Sequence, residues 1–227
     1  MKLLRHLPNT LTCGNLLCGC VGVIFCLENR GVPIAYFVWA AGIFDFLDGF
    51  TARWLNVSSP IGKELDSLAD MVSFGLLPSL VMYKMLATSS PPYLPYLAFL
   101  IAVCSALRLA IFNVDETQGD SFKGLNTPAN SIFITSLPFI SGAFGLFLQQ
   151  SWVLVSITIL FSLLLISRIT IFAFKFKDFS WQRNKVRFTF LACAAFLLVA
   201  LGKATLPLII LMYITFSLAG RALKLEG

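Results

Sequence analysis

Residues 45–70 read Asp45-Phe46-Leu47-Asp48-Gly49-Phe50-Thr51-Ala52-Arg53, a short loop, then Gly62-Lys63-Glu64-Leu65-Asp66-Ser67-Leu68-Ala69-Asp70. They set four aspartates inside two stretches otherwise apolar enough to cross a membrane. A carboxylate at bilayer depth costs roughly 2.5–3.5 kcal/mol on insertion scales, so four together demand a compensating partner, and a divalent metal is the natural one. Asp45, Asp48, Gly49 and Ala52 stand at i, i+3, i+4 and i+7, which gathers them on one helix face. Asp66 and Asp70 repeat the device at i and i+4 in the next helix, with Gly62 one turn before and Ser73 two turns after. The loop 55–61 is short, so the two helices run antiparallel. The four carboxylates are expected to converge a turn or two below the membrane surface.

The rest of the chain supports a membrane setting. Of 227 residues, 58% are apolar and only 12% charged, and the mean hydropathy is +0.84, far from the norm for a water-soluble domain. Apolar runs separated by short polar or Pro/Gly breaks predict an all-α polytopic bundle, one integral membrane domain over 1–227. The predicted spans are 11–28, 32–54, 62–86, 94–113, 128–148, 152–174, 188–201 and 205–219. The last two are short and flank Gly202-Lys203, so eight spans compete with six plus a re-entrant hairpin.

Either count puts both termini on one side. That side then holds every one of the 17 Lys and Arg except Arg30, Lys84 and Lys203, and positive charge marks the cytoplasmic face. The formal charge of +6 is therefore a topology signal and not a nucleic-acid footprint. The expected setting is the cell (inner or plasma) membrane, multi-pass, with the aspartates facing the cytoplasm. The basic run Lys175, Lys177, Arg183, Lys185 and Arg187 is expected as a cytoplasmic loop on anionic headgroups. The six cysteines form no CxxC pair and His6 is the only histidine, which argues against disulfide or zinc chemistry. Lys2 and Arg5 precede an apolar run that Pro8-Asn9 interrupts without an A-x-A site, so the first span is expected to be retained.

Small residues beside the acids, Gly49, Ala52 and Gly62, allow close helix approach or a ligand against bare backbone. Arg53 sits at the rim, where its planar fork suits a phosphate oxygen. Hard carboxylate ligands beside such an arginine favour Mg2+ or Mn2+ over zinc. Arg108 is open to three uses: pairing with an Asp, snorkelling, or contacting a ligand. The 22 phenylalanines are spread over every span, as lipid-facing and packing surfaces require, and no Gly-rich phosphate loop or Ser-His-Asp set accompanies them.

The spacing D-x2-D-G-x2-A-R-x8-G-x3-D-x3-D, from Asp45 to Asp70, resembles at every defined position the signature of the CDP-alcohol phosphotransferases. The resemblance implies transfer of a phospho-group from a CDP-linked lipid to an alcohol with release of CMP, in a six-helix core usually assembled as a homodimer. That core would cover about 1–175, with 188–219 as additional C-terminal helices. Asn15-Leu16-Leu17-Cys18-Gly19, Leu65–Gly75 followed by Pro78, Arg108-Leu109-Ala110 with Phe112-Asn113, Gly124–Ala129 and Ala173-Phe174-Lys175 are similar to the phosphatidylserine synthase branch of bacteria and archaea. This branch implies CDP-diacylglycerol and L-serine as substrates. Ile111, Asn126 and Ala173 depart from it, where arginine, proline and serine are expected. The departures bear on the acceptor more than on the reaction.

By the same resemblance, Asp45, Asp48, Asp66 and Asp70 would hold two Mg2+ or Mn2+ ions, and Asp70 would double as general base. Asn9, Thr12, Gly49, Ala52, Arg53, Ser59 and Gly62 would line the CDP moiety. A serine carboxylate needs a cation, for which Arg108, Lys123 and Arg168 are candidates, with Asn113 and Thr127 as neutral partners. Two other readings stand beside this one: the same chemistry on glycerol 3-phosphate or another alcohol, and a cation-coupled transporter with the aspartates as ion ligands. The transporter reading lacks a second copy of the Asp motif in residues 130–219.

Overall fold

The computed structural model describes residues 6–57, 59–115, 121–172 and 181–222. The chain is helical, as expected. Helix α1 (Leu7–Glu28) packs along α2 (Ala35–Leu55), and their approach is close because Gly14 and Gly22 leave room for Phe44 and Phe37. Asn56 at φ 51° closes α2 with the left-handed cap that Asn tolerates. Ser59 then accepts from Gly62 N at 2.9 Å, and Pro60 supplies the first turn of α3 (Pro60–Asp70). The expected loop between the aspartate helices is thus built from its own capping residues.

Helix α3 does not stop at Asp70. It passes through a π turn (Met71–Leu76) into α4 (Leu77–Ala87), so that Pro60–Ala87 is one span of 28 residues. After a 3-10 segment (Leu94–Phe99), α5 (Leu100–Val114) returns to the aspartate end. Leu7–Glu28, Pro60–Ala87 and Leu94–Val114 are each long and apolar enough to cross a membrane. Together with the C-terminal helices they make this a multi-pass membrane protein.

Three expectations need correcting. The span at 128–148 is not one helix: α6 (Thr127–Ser136) ends in a 3-10 turn at Leu137–Phe139, and α7 (Gly142–Leu148) starts from Gly142 at φ +73°. Pro138 and this left-handed glycine break the ladder. The span at 152–174 ends early, because α8 (Ser151–Ile166), bent 69° from α7, is followed by strand β2 (Thr170–Phe172). That strand pairs antiparallel with β1 (Ser121–Lys123), Phe122 opposite Ile171. The basic residues Arg183, Lys185 and Arg187, expected in a loop, lie in α9 (Trp181–Leu201), since polar residues set a membrane boundary without ending a helix. Lys2, Arg5, Lys175, Lys177 and the motif residue Ala173 lie outside the described residues.

The stretch Phe188–Ala219 is 32 residues of apolar helix, yet it turns back on itself. Gly202 has φ +70° between α9 and α10 (Leu206–Ala222), and the Phe190 ring lies 5.8 Å from Tyr213 and 6.2 Å from Phe216. A straight helix would separate Phe190 from Tyr213 by roughly 35 Å. The C-terminal segment is therefore two antiparallel helices joined at Gly202, a reversal common to both arrangements open from sequence.

Two cores hold the bundle. One joins α1, α2, the π turn and α4 through Cys26, Val38, Ala41, Phe74, Leu77 and Val81. The larger joins α4, α5, α6, α8 and the C-terminal hairpin, with Phe133 stacked on Phe161 at 3.9 Å. The three cations of the end opposite the aspartates are all engaged. Lys84 caps α1 through Cys26 O, Leu27 O and Asn29 Oδ1, Arg30 pairs with Glu28, and Lys203 bonds Tyr36 at 2.7 Å.

Gly124 joins the β ribbon to the bundle at φ +76°, and a Cβ there would lie 2.6 Å from Leu165 O and 3.0 Å from Arg108 Nη1. Backbone cannot yield to that atom, so Gly124→Ala is expected to destabilise by about 2–4 kcal/mol. A thermal melt in detergent that stays within a degree of the wild type would refute this.

Candidate metal and substrate site

Carboxylate oxygens of Asp45 and Asp48 on α2 and Asp66 on α3 all lie within 4.8 Å of one another, as the antiparallel helix pair predicts. Asp48 is buried, and its Oδ2 accepts a 2.6 Å hydrogen bond from Thr12 Oγ on α1. Asp66 Oδ1 is buried without a hydrogen-bond partner, and among the described residues no ion pair reaches the cluster. Three crowded hard-oxygen donors, one of them a buried orphan acceptor, fit a divalent cation. Arg53 folds back over Gly49, its Nη1 3.4 Å from where a Cβ would stand, so bulk at that position would displace it.

Asp70 stands apart from the three. It lines the same cavity of about 400 Å3 as Asp45, Asp48, Asp66, Arg53, Arg108, Asn126 and Thr127, but four residues of helix place it about 6 Å further along α3. It is 8% exposed, and its Oδ1 accepts from Asn15 Nδ2 at 3.0 Å. Sequence reasoning gave Asn15 no role; the available signal was its spacing, one turn beyond Thr12 in an apolar helix.

A smaller cavity of about 210 Å3 opens on the other side of Asp48 and Asp66. It is lined by Asn9, Thr12, Gly49, Ala52, Ser59 and Gly62, six of the seven residues expected at the CDP moiety, and by Lys63, which was not expected there. A Cβ on Gly62 would lie 3.0 Å from both Asn9 Oδ1 and Ser59 Oγ, so glycine keeps the N-terminus of α3 open to this cavity.

The residues expected at the acceptor divide. Arg108 is 8% exposed and lines both the aspartate cavity and a third, of about 510 Å3, shared with Lys123 and Arg168. Its Nη1 donates to Lys123 O at 2.8 Å and Leu165 O at 3.1 Å, which stitches the ribbon to α5 and α8. Lys123 pairs with Asp115 at 2.9 Å. Thr127 is buried in the aspartate cavity, and Asn126, where proline was expected, caps α6 by accepting from Ala129 N at 3.0 Å. Asn113 lines none of these cavities: its Nδ2 donates to Ser67 Oγ at 2.9 Å and its carbonyl accepts from Lys63 Nζ at 2.6 Å, which ties α5 to α3.

The chain is 33% identical over 137 residues to the CDP-diacylglycerol--serine O-phosphatidyltransferase of Bacillus subtilis, covering 60% of this chain and 77% of that one. It is 35% identical over 175 residues to the protein of that name from Mycobacterium leprae, covering 73% of this chain and 58% of that one. The archaetidylserine synthase of Methanothermobacter thermautotrophicus is 29% identical over 158 residues, covering 68% and 66%. The chain thus spans little more than half the length of the mycobacterial relative. The family model for CDP-alcohol phosphatidyltransferase matches residues 5–164, a stretch that takes in all four aspartates and both cavities beside them, and the chain is an enzyme belonging to the CDP-alcohol phosphatidyltransferase family.

Proposed function

We propose that this enzyme transfers the phosphatidyl group of CDP-diacylglycerol to the hydroxyl of L-serine and releases CMP. The observation that carries the reading is the three-carboxylate cluster of Asp45, Asp48 and Asp66, set between a cavity walled by small residues and one reached by Arg108. Relatives named for serine transfer support the acceptor.

Asp45, Asp48 and Asp66 would hold two Mg2+ or Mn2+ ions, which when bound would draw in the pyrophosphate and offset charge on departing CMP, and Asp70, a turn further along α3, is kept as the base rather than as a ligand. Asn9, Thr12, Gly49, Ala52, Ser59 and Gly62 receive the cytidine nucleotide, with Arg53 swinging from Gly49 to a phosphate oxygen. Asp70 takes the proton of the serine hydroxyl as that oxygen attacks the phosphorus bearing the lipid. Arg108, with Lys123 and Arg168, supplies the cationic side for the serine carboxylate, and Thr127 a hydroxyl; Asn113 acts at a distance by fixing α3 against α5. The site end carries Arg53, Lys63, Arg108, Lys123 and Arg168, and by the positive-inside rule this supports a site facing the cytoplasm from the cell membrane. The reading takes the chain as one domain working as a homodimer.

The test is CMP release by purified protein in detergent with CDP-diacylglycerol and Mn2+ or Mg2+. L-Serine is expected to accelerate release at least about tenfold over glycerol 3-phosphate, since a zwitterion needs fewer convergent cations than a phosphate. Preference for glycerol 3-phosphate would overturn the acceptor. Ion-coupled vesicle uptake without CMP release would overturn the reaction.

A further inference from the structure

Asn15 is fully buried within α1, a helix long and apolar enough to cross a membrane, and it makes two bonds to one short stretch of chain. Its Nδ2 donates to Asp70 Oδ1 at 3.0 Å, and its backbone carbonyl accepts from Ser73 Oγ at 3.0 Å. Asp70 and Ser73 bracket the entry to the π turn Met71–Leu76, a feature that changes where side chains point along a helix and recurs at functional sites. Gly19, one turn along α1, makes the contact possible: a Cβ there would lie 2.4 Å from Ser73 Oγ and 3.0 Å from Ser73 Cα. The same helix sends Thr12 to Asp48, so α1 touches the aspartates twice and with different consequences.

We propose that Asn15 is the positioning residue for Asp70, with Ser73 and Gly19 as its seat. This rests on the reading of Asp70 as the base. Asn15 engages Oδ1 and fixes the plane of the carboxylate, so Oδ2 is the oxygen left to receive the acceptor's proton. In that step the acceptor O–H bond breaks and its proton passes to Oδ2, the new O–P bond forms, and the bond between phosphorus and the CMP oxygen breaks. Asp45, Asp48 and Asp66 form the metal cradle without Asn15, so its loss should be felt in turnover rather than in metal or donor binding.

The experiment measures kcat, the KM for CDP-diacylglycerol and the half-saturating Mn2+ concentration for wild type, Asn15→Ala, Ser73→Ala and Thr12→Val. Asn15→Ala is expected to lower kcat about 10²-fold, the scale of a small misplacement of a reacting group, with the other two constants within about twofold. Ser73→Ala should lower kcat several-fold in the same pattern, and Thr12→Val should shift the Mn2+ requirement instead. Asn15→Ala added to Asp70→Asn should cost nothing further, because a residue acting only through Asp70 has nothing left to position. An unchanged kcat in Asn15→Ala, beside an active wild type, overturns the positioning role alone. A parallel loss of kcat, donor affinity and metal affinity assigns Asn15 to the fold and also overturns it. Absence of CMP release from the wild type overturns the reaction and, with it, the role given to Asp70.

Discussion

Asp66→Asn is expected to lower metal-dependent CMP release by about 10³-fold and, without divalent ion, to raise the melting temperature. Both effects come from one observation. The three clustered carboxylates have oxygens within 4.8 Å of one another, and Asp66 Oδ1 is buried with no partner. In a low-dielectric site like charges at that spacing repel, so the ion-free protein carries a destabilising crowd that an asparagine relieves. Added Mn2+ should then stabilise the wild type by about 2.7 kcal/mol at one hundred times its Kd and the variant by far less. The check is a pair of melts, with Mn2+ and with chelator. An ion-free variant that melts below the wild type and still responds fully to Mn2+ would mean that Asp66 is not in the cradle.

Asp70→Asn should give the opposite profile. The substitution keeps the side chain's shape, and an amide can still accept from Asn15 Nδ2, so the seat on α1 survives. What disappears is a carboxylate able to take a proton, worth on the order of 10²–10⁴ in rate for a general base. The three-carboxylate cluster is untouched, so the Mn2+-dependent rise in melting temperature should persist. Serine-dependent kcat measured beside that melt separates the two aspartates. Retention of more than about a tenth of wild-type turnover would remove Asp70 from the base role.

Much of the site was legible because it is written in helical periods. Asp45 to Ala52 share one face by spacing alone, and Asn56, Ser59 and Pro60 cap the loop with residues whose local preferences need no tertiary help. Asp70, read also as the base, was grouped with the other three as a metal ligand, since a period of four reports a shared face and not the 6 Å step along the axis. The β ribbon was not legible: three residues on each side, far apart in sequence, carry no periodic signal. The break at Leu137–Gly142 was hidden within an apolar run, because lipid rewards apolar side chains on every side of a helix and erases the amphipathic pattern that marks ends in water. Arg108 was read as a group for ligand or partner, while its position between two backbone carbonyls depends on a ribbon that the sequence does not announce.

The packing of α10 on α6 bears on how the enzyme is made. Helix α6 buries Asn130, Ser131, Thr135 and Ser136 on its inner faces, and Ile209, Ile210, Tyr213 and Ile214 of α10 share a core with its Phe133 and Ile134. Chains are synthesised from the N-terminus, so the aspartate helices enter the bilayer early while α6 stays open on one flank until the turn at Gly202 has brought α10 home. A nascent chain paused after α8 already carries the four motif aspartates yet has a polar helix unsealed against lipid. Biogenesis thus orders the molecule from its chemistry outward, and α10 closes the wall.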